Sequence, residues 1–309
     1  MKKLLVITLV VLVAVSGLLL YFLPQEMRFR PPYPITQTPA DVGLSFEVFT
    51  ISPEDEDLKL AGWWMPAKAS RATLVFIHGG GSNRHSEFFK SLDFYAAMVA
   101  GGVSVAVVDL RNHGDSDSDG RGLQFGRTEK WDALALIDWA HQKAPDSPLY
   151  AMGISMGGAT LIQAANEGMI VDGLILLDPL LDTHDAITQS AWVATGLPPR
   201  LFNASAWAAT QWHGMPRGDE QASEIAARLN QPILLLQDPD DPVTRAPYAR
   251  KLAAQNPAIR YWEAPSAKAD AAAELQWRGR WGSHVTAFVL FPERVLEQVF
   301  SFMDLSPQR

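Results

Sequence analysis

The chain contains no cysteine. Disulfides, thiolate-bound zinc and a thiol nucleophile are excluded together, while the redox compartment stays open, because a cysteine-free chain tolerates either. The chain also lacks any run of basic residues. With 26 Lys and Arg against 34 Asp and Glu the net charge is -8, which argues against a nucleic-acid partner. Charged residues make up 19% and hydrophobic residues 48%, a globular rather than a disordered balance. Long apolar runs are scarce, with one exception at the N-terminus.

That exception is residues 4–23, twenty residues without a charge, preceded by Met1, Lys2 and Lys3. As a helix they span roughly 30 Å, the thickness of a bilayer core. A cleaved signal peptide has a shorter apolar region, about 7–15 residues, ending in a small-residue site. Here the run ends in Leu-Tyr-Phe-Leu-Pro, and only Ala14-Val15-Ser16 offers a weak internal site. A buried core helix is disfavoured because no polar face exists. Residues 1–23 are therefore expected to be an uncleaved single-pass anchor. Lys2 and Lys3 face Arg28 and Arg30 offset by Glu26, a slight bias that puts the N-terminus in the cytoplasm and the body outside it. Residues 24–40, with Pro24, Pro31, Pro32, Pro34 and Pro39, read as a stiff, non-helical linker, and 41–309 as one domain.

In that domain, runs at 42–50 and 58–65 flank an acidic turn and predict an antiparallel hairpin. Strands at 73–77, 103–108, 149–152, 174–177, 233–237 and 259–263 then alternate with helices at 87–100, 128–143, 156–166, 247–255 and 292–302. Near-continuous Val, Ile and Leu strands alternating with helices predict an α/β fold: eight strands, mostly parallel, covered on both faces. Residues 179–231 break the rhythm and read as a small helical cap carrying Trp192, Trp207 and Trp212. No internal repeat occurs, and the one biased tract is the alanine-rich 267–273.

The most informative residues are Gly153-Ile154-Ser155-Met156-Gly157. They spell G-x-S-x-G between a predicted strand and a predicted helix. A serine there stands on a sharp turn with its hydroxyl exposed, and the flanking glycines let strand and helix pack closely. The N–H of Met156, at a helix N-terminus, can stabilise an oxyanion. A serine nucleophile needs a histidine base, and the base needs an orienting carboxylate. In this arrangement the chain order is Ser, acid, His. The acid is expected in the turn 238–243, with Asp241 ahead of Asp240 and Asp238. Of seven histidines only His284 lies beyond that turn. His78-Gly79-Gly80-Gly81 follows a buried strand and can supply a second oxyanion donor, taken as the N–H of Gly80, with Gly79 and Gly81 as alternatives. Asp115, Asp117 and Asp119 mimic a calcium loop, but its twelfth position is Gly126 instead of Glu, so an acidic surface loop is expected there.

With these motifs the chain resembles the alpha/beta-hydrolase superfamily, in particular its membrane-anchored, serine-aminopeptidase-like and dienelactone-hydrolase-like branches. The resemblance rests on His78-Gly79-Gly80-Gly81, on Asp109-x-Arg111-x-x-Gly114-x-Ser116, on Gly153 to Gly158, and on Asp241 with His284, and it covers about residues 40–305. It implies an eight-stranded alpha/beta-hydrolase sheet with a cap, a Ser155/Asp241/His284 triad, and no cofactor or metal. Two departures stand out. The gap from Asp241 to His284 is long, with its excess around 267–280 beside Trp277 and Trp281, and the histidine follows Gly-Ser instead of the commoner Gly or Ala-Gly.

The reading is a hydrolase of esters, thioesters or amides acting on a small apolar acyl substrate held by Trp192, Trp207 and Trp212. The alternatives are a non-catalytic binding protein of the same fold, and a haloperoxidase or lyase using the same triad.

Overall fold

The computed structural model describes residues 2–29, 31–267 and 272–305. Arg30, weighed above for membrane orientation, and residues 268–271 of the alanine-rich tract lie outside them.

β1 (Glu47–Ile51) and β2 (Leu60–Met65) form the expected hairpin. β2 runs antiparallel to β4 (Val103–Val108). β3 (Ala72–Ile77), β5 (Leu149–Ile154), β6 (Gly173–Leu177), β7 (Ile233–Gln237) and β8 (Ile259–Glu263) complete a sheet ordered β1-β2-β4-β3-β5-β6-β7-β8, with every pairing from β4 onward parallel. β3, β4 and β6 are buried at every position, because helices cover both faces of the sheet.

The covering helices are α2 (Ser91–Ala100), α3 (Lys130–Lys143), α4 (Met156–Asn166), α8 (Ala246–Gln255) and α10 (Pro292–Phe302). On one face Leu136, Leu161, Ile162 and Leu252 share one apolar cluster with Leu235. On the other, Phe94, Met98, Val299 and Phe300 share a second cluster with Phe76. Each such side chain contributes about 1.5–3 kcal/mol by leaving water. α2 and α3 begin at Ser91 and Lys130, a few residues later than the apolar pattern suggests.

The cap holds α5 (Thr183–Thr195), α6 (Asn203–Trp212) and α7 (Ala222–Ala226). The Asp182 carboxylate accepts from the N–H of Asp185 at 2.7 Å and starts α5, and Gly196 at φ 76° ends it. Ile187, Ala206, Ala209 and Met215 pack together against Phe125.

The N-terminal helix corrects one expectation. α1 spans Lys2–Arg28, so residues 24–28 are helical, not linker, and Pro24 lies inside the helix. Proline removes one helical hydrogen bond. Tertiary contact outweighs that loss: α1 packs on α6, Pro24 and Arg28 are buried, and Arg28 donates to the carbonyls of Arg121 and Leu123. α1 is long and apolar enough to cross a membrane.

β3 has β4 on one side and β5 on the other. The chain therefore reverses its direction of travel across the sheet between β3 and β5. In open α/β sheets a crevice forms there, at the carboxyl ends of the strands.

Candidate active site

Ser155 stands in that crevice between β5 and α4, with φ 50° and ψ −119°. This is a strained conformation for a residue with a Cβ. Neighbouring glycines make it possible. A Cβ at Gly157 would meet the carbonyl oxygen of Ile77 at 2.2 Å, and one at Gly153 would meet that of Gly157 at 2.4 Å. Met156 is the first residue of α4, so its N–H has no partner within the helix.

His284 Nε2 lies 3.0 Å from Ser155 Oγ, and His284 Nδ1 lies 2.7 Å from Asp241 Oδ2. Asp241 is buried and held in place. Its Oδ1 accepts from the N–H groups of Val243 and Thr244 at 2.7 and 2.9 Å, and its Oδ2 accepts from Thr244 Oγ1 at 2.6 Å. The two alternative acids sit elsewhere. Asp240 is exposed, and Asp238 accepts from the N–H of Asp240 and from Thr286 Oγ1.

Asp178, at the end of β6, was not legible as a site residue. Its carboxylate accepts from the N–H of Asp238 at 2.6 Å and from the N–H of Val285 at 3.1 Å. It thus ties the acid turn to the histidine loop. Val285 has φ 51°, unusual for a β-branched residue, and this bond helps to hold it there. Burial, together with the Asp241 and Asp238 carboxylates, pushes the Asp178 carboxyl well above the usual range. Burial pushes Asp238 up to about 6.

The glycine loop after β3 is shaped by two buried histidines. His78 Nε2 accepts from the N–H of Leu110 at 3.0 Å, and its Nδ1 donates to the carbonyl of Gly79 at 2.8 Å. His113 Nε2 accepts from the N–H of Gly81 at 3.0 Å, and its Nδ1 donates to the carbonyl of Arg111 at 2.8 Å. Each ring must be neutral to accept at one nitrogen and donate at the other. Burial lowers His78 to about 4 and His113 to about 3, which keeps both so. Of the three candidate donors, Gly81 is committed to His113. Gly79 abuts Ser155, and Gly80 abuts Met156.

The Asp109–Ser116 motif is structural. Asp109 accepts from the Arg84 guanidinium and from the N–H of Asp115, while Arg111 pairs with Asp132 and Asp55. Asp115, Asp117 and Asp119 face separate partners: Arg84, the N–H of Lys59, and Asn112 with the N–H of Arg121. Asp119 has a fully buried side chain, so this loop is less solvated than its composition suggests. Among the described residues no cluster of three or more His, Asp and Glu is arranged for a metal ion.

A cavity of about 490 Å³ opens beside Ser155 and His284. Its apolar wall includes Phe88, Leu123, Phe125, Ile187 and Met215, with Trp277 and Trp281 from the long segment before His284. Pro24 of α1 also lines it. Trp192, Trp207 and Trp212, expected from sequence to hold the substrate, are not in its wall. α6 turns the small Ala206 and Ala209 inward, three residues apart on one face. Trp207 and Trp212 are left on the outside, each 54% exposed and packed edge to face at 5.5 Å.

The segment before His284 is α9 (Ala272–Trp277) followed by a 3₁₀ turn, Gly279–Trp281. Two arginines, also missed from sequence, fasten it. Arg278 is buried, donates to the carbonyl of His284 at 3.0 Å and to that of Phe88, and lies 3.9 Å over the Phe88 ring. Arg280 donates to the carbonyls of Val193 and Ala194 in the last turn of α5. A cation there is favoured by the carbonyls left free at a helix end. The available signal was a length excess carrying arginines beside tryptophans.

Sheet, elbow and crevice converge on one class: the chain has the alpha/beta-hydrolase fold, with Ser155 on the strand-to-helix turn of its crevice. Comparison with known proteins agrees. Residues 68–207 match the serine aminopeptidase S33 family, Hydrolase_4. The lysophosphatidylserine lipase ABHD12 of Macaca fascicularis is 26% identical over 251 residues, covering 72% of this chain and 60% of that protein. The monoglyceride lipase of Mus musculus is 28% identical over 143 residues, covering 46% of this chain and 45% of that protein. The chain thus spans about 60% of the length of the lysophosphatidylserine lipase it matches. An esterase of Pyrococcus furiosus, Pf2001, shares the fold with a TM-score of 0.70 at 20% identity, over 89% of this chain and 98% of that structure.

Proposed function

We propose that the chain cleaves an ester, thioester or amide of an apolar acyl group through an acyl-enzyme on Ser155. The observation that carries this is the line from Asp241 Oδ2 through His284 to Ser155 Oγ, with spacings of 2.7 and 3.0 Å, opening into an apolar cavity. His284 Nε2 takes the hydroxyl proton as Ser155 Oγ attacks the carbonyl carbon. Asp241 holds the tautomer that makes this possible and balances the imidazolium charge. The N–H groups of Met156 and Gly80 stabilise the oxyanion, a contribution of about 2.7–4 kcal/mol per donor. His284 then gives its proton to the departing alcohol, thiol or amine. Water, deprotonated by the same nitrogen, releases the acid and restores Ser155.

For the substrate, the relatives described as lysophosphatidylserine and monoglyceride lipases support a single-chain lipid ester. The cavity's apolar wall suits one acyl chain. In this reading α1 anchors the chain uncleaved, with Lys2 and Lys3 in the cytoplasm and the domain outside it.

The test is labelling by a fluorophosphonate probe, followed by turnover of p-nitrophenyl esters of graded length and of a monoacylglycerol. Labelling at Ser155 and a preference for longer acyl chains are expected. An unlabelled protein with no esterase activity would favour a binding role for the fold.

A further inference from the structure

The packing of α1 on the cap says where a bilayer would lie. From Leu4 to Leu18 the large apolar side chains of α1 are between 50% and 69% exposed. This part of the helix projects from the domain. Contact with the domain begins near the end of the apolar run. Tyr21 lies 5.3 Å, ring to ring, from His213, the residue after α6, and Pro24 and Arg28 are buried. Since twenty helical residues cross about 30 Å, Tyr21 falls at the edge of the hydrocarbon layer. The end of α6 is held at the same depth.

Part of the cap surface is apolar and uncovered. Leu197, Leu201, Trp207 and Trp212 are each between 51% and 61% exposed. They belong to one stretch, 197–212, which contains α6, the helix that α1 packs on. That stretch has no acidic residue, in a chain with 34, and its one ionisable side chain is the exposed Arg200. Exposed tryptophan and leucine beside arginine, with no carboxylate, suit the boundary between headgroups and acyl chains. Tryptophan suits it twice over, with an apolar ring and an N–H for a hydrated partner. The catalytic cavity is lined by Pro24 of α1 and Ala209 of α6, so it lies against the same boundary.

We propose that the outer edge of the cap, Leu197, Leu201, Trp207 and Trp212, is seated in the interface of the bilayer that α1 enters. The cavity then draws an acyl lipid from that leaflet instead of from water. This rests on the reading of α1 as a membrane anchor.

The absence of cysteine makes the test direct. The full chain is reconstituted in phosphatidylcholine nanodiscs with a single nitroxide on Leu201→Cys, Trp207→Cys, Leu12→Cys or Ile170→Cys. Collision with oxygen and with a water-soluble nickel chelate is read by electron paramagnetic resonance. Leu12 is the bilayer reference; Ile170, 77% exposed, is the domain reference. Labels at 201 and 207 are expected to favour oxygen over the chelate several-fold more than the label at 170. If 201 and 207 match 170 while 12 reports lipid, the proposal falls and the anchor stands. If 12 itself reports water, the anchor fails and the proposal with it. Labels at 201 and 207 shielded from both reagents would indicate a protein partner and also overturn it. Leu201→Cys replaces an exposed leucine, so the test survives a misfolded tryptophan variant.

Discussion

The indole of Trp281 lies over the imidazole of His284, with ring centroids 5.6 Å apart and planes 28° from parallel. Arg278 and Arg280 flank that tryptophan's turn and fasten it to the His284 carbonyl and to the end of α5. An aromatic face attracts a cation, by about 0.5–2 kcal/mol depending on solvation. In the proposed mechanism His284 becomes cationic as the transition state forms. Trp281→Leu is therefore expected to lower kcat for a short ester by about two- to thirtyfold, while Trp281→Phe keeps most of it. Equal losses in both variants would reduce the indole to space filling.

Ser155→Ala should abolish fluorophosphonate labelling and lower turnover by a factor on the order of 10⁶, with an unchanged circular dichroism spectrum. Wild-type esterase activity in that variant would refute the acyl-enzyme.

The acid assignment separates two adjacent carboxylates. Asp241 faces His284 Nδ1, and Asp240 is exposed. Asp241→Asn should cost about 10⁴ in kcat through the wrong imidazole tautomer. Asp240→Asn should cost little. The opposite ranking in steady-state kinetics would move the role by one residue.

His78 makes a contribution to stability that is lost in acid, while Asp132 and Asp238, pushed by burial up to about 7 and about 6, contribute in the opposite direction. Burial lowers His78 to about 4 in the folded chain, against 6.5 when exposed. Below pH 6.5 the unfolded chain takes up a proton that the folded chain refuses until about pH 4. The contribution of His78 is thus complete above pH 6.5 and is lost as pH falls, by about 2 kcal/mol at pH 5. Urea unfolding at pH 7 and pH 5 reads this. On going from pH 7 to pH 5, His78→Gln should lose less stability, or gain more, than the parent. An identical difference would mean that His78 is protonated without penalty.

Acyl-chain length should respond to residues that line the cavity. Ile187 and Met215 lie in its wall, and Trp192, Trp207 and Trp212 do not. Met215→Trp or Ile187→Trp should raise KM for long p-nitrophenyl esters more than for the acetate, by filling space an acyl chain needs. No change in chain-length preference in either variant would place the acyl group elsewhere.

The sequence by itself determined the sheet and pointed to residues that meet in its crevice. Buried strands such as 73–77 and 103–108 are mostly Val, Ile, Leu and Phe because both faces are covered, so their number and alternation with helices could be read from the sequence. Ser155 was legible because its turn is local: the glycines that relieve it lie within three residues. His284 was legible by its order in the chain. The tertiary structure decided what depends on distant partners. Asp241 was separated from Asp240 by which carboxylate reaches an imidazole 43 residues away. Asp178 acquired its role from Val285, 107 residues on, and no local pattern encodes such a contact. Trp207 and Trp212 point outward because α6 packs by its alanines, and α1 continues past Pro24 because α6 and the Arg28 contacts hold it. Local preference fixes which residues can form an element. Which face of it is buried, and against what, follows only once the elements are packed together.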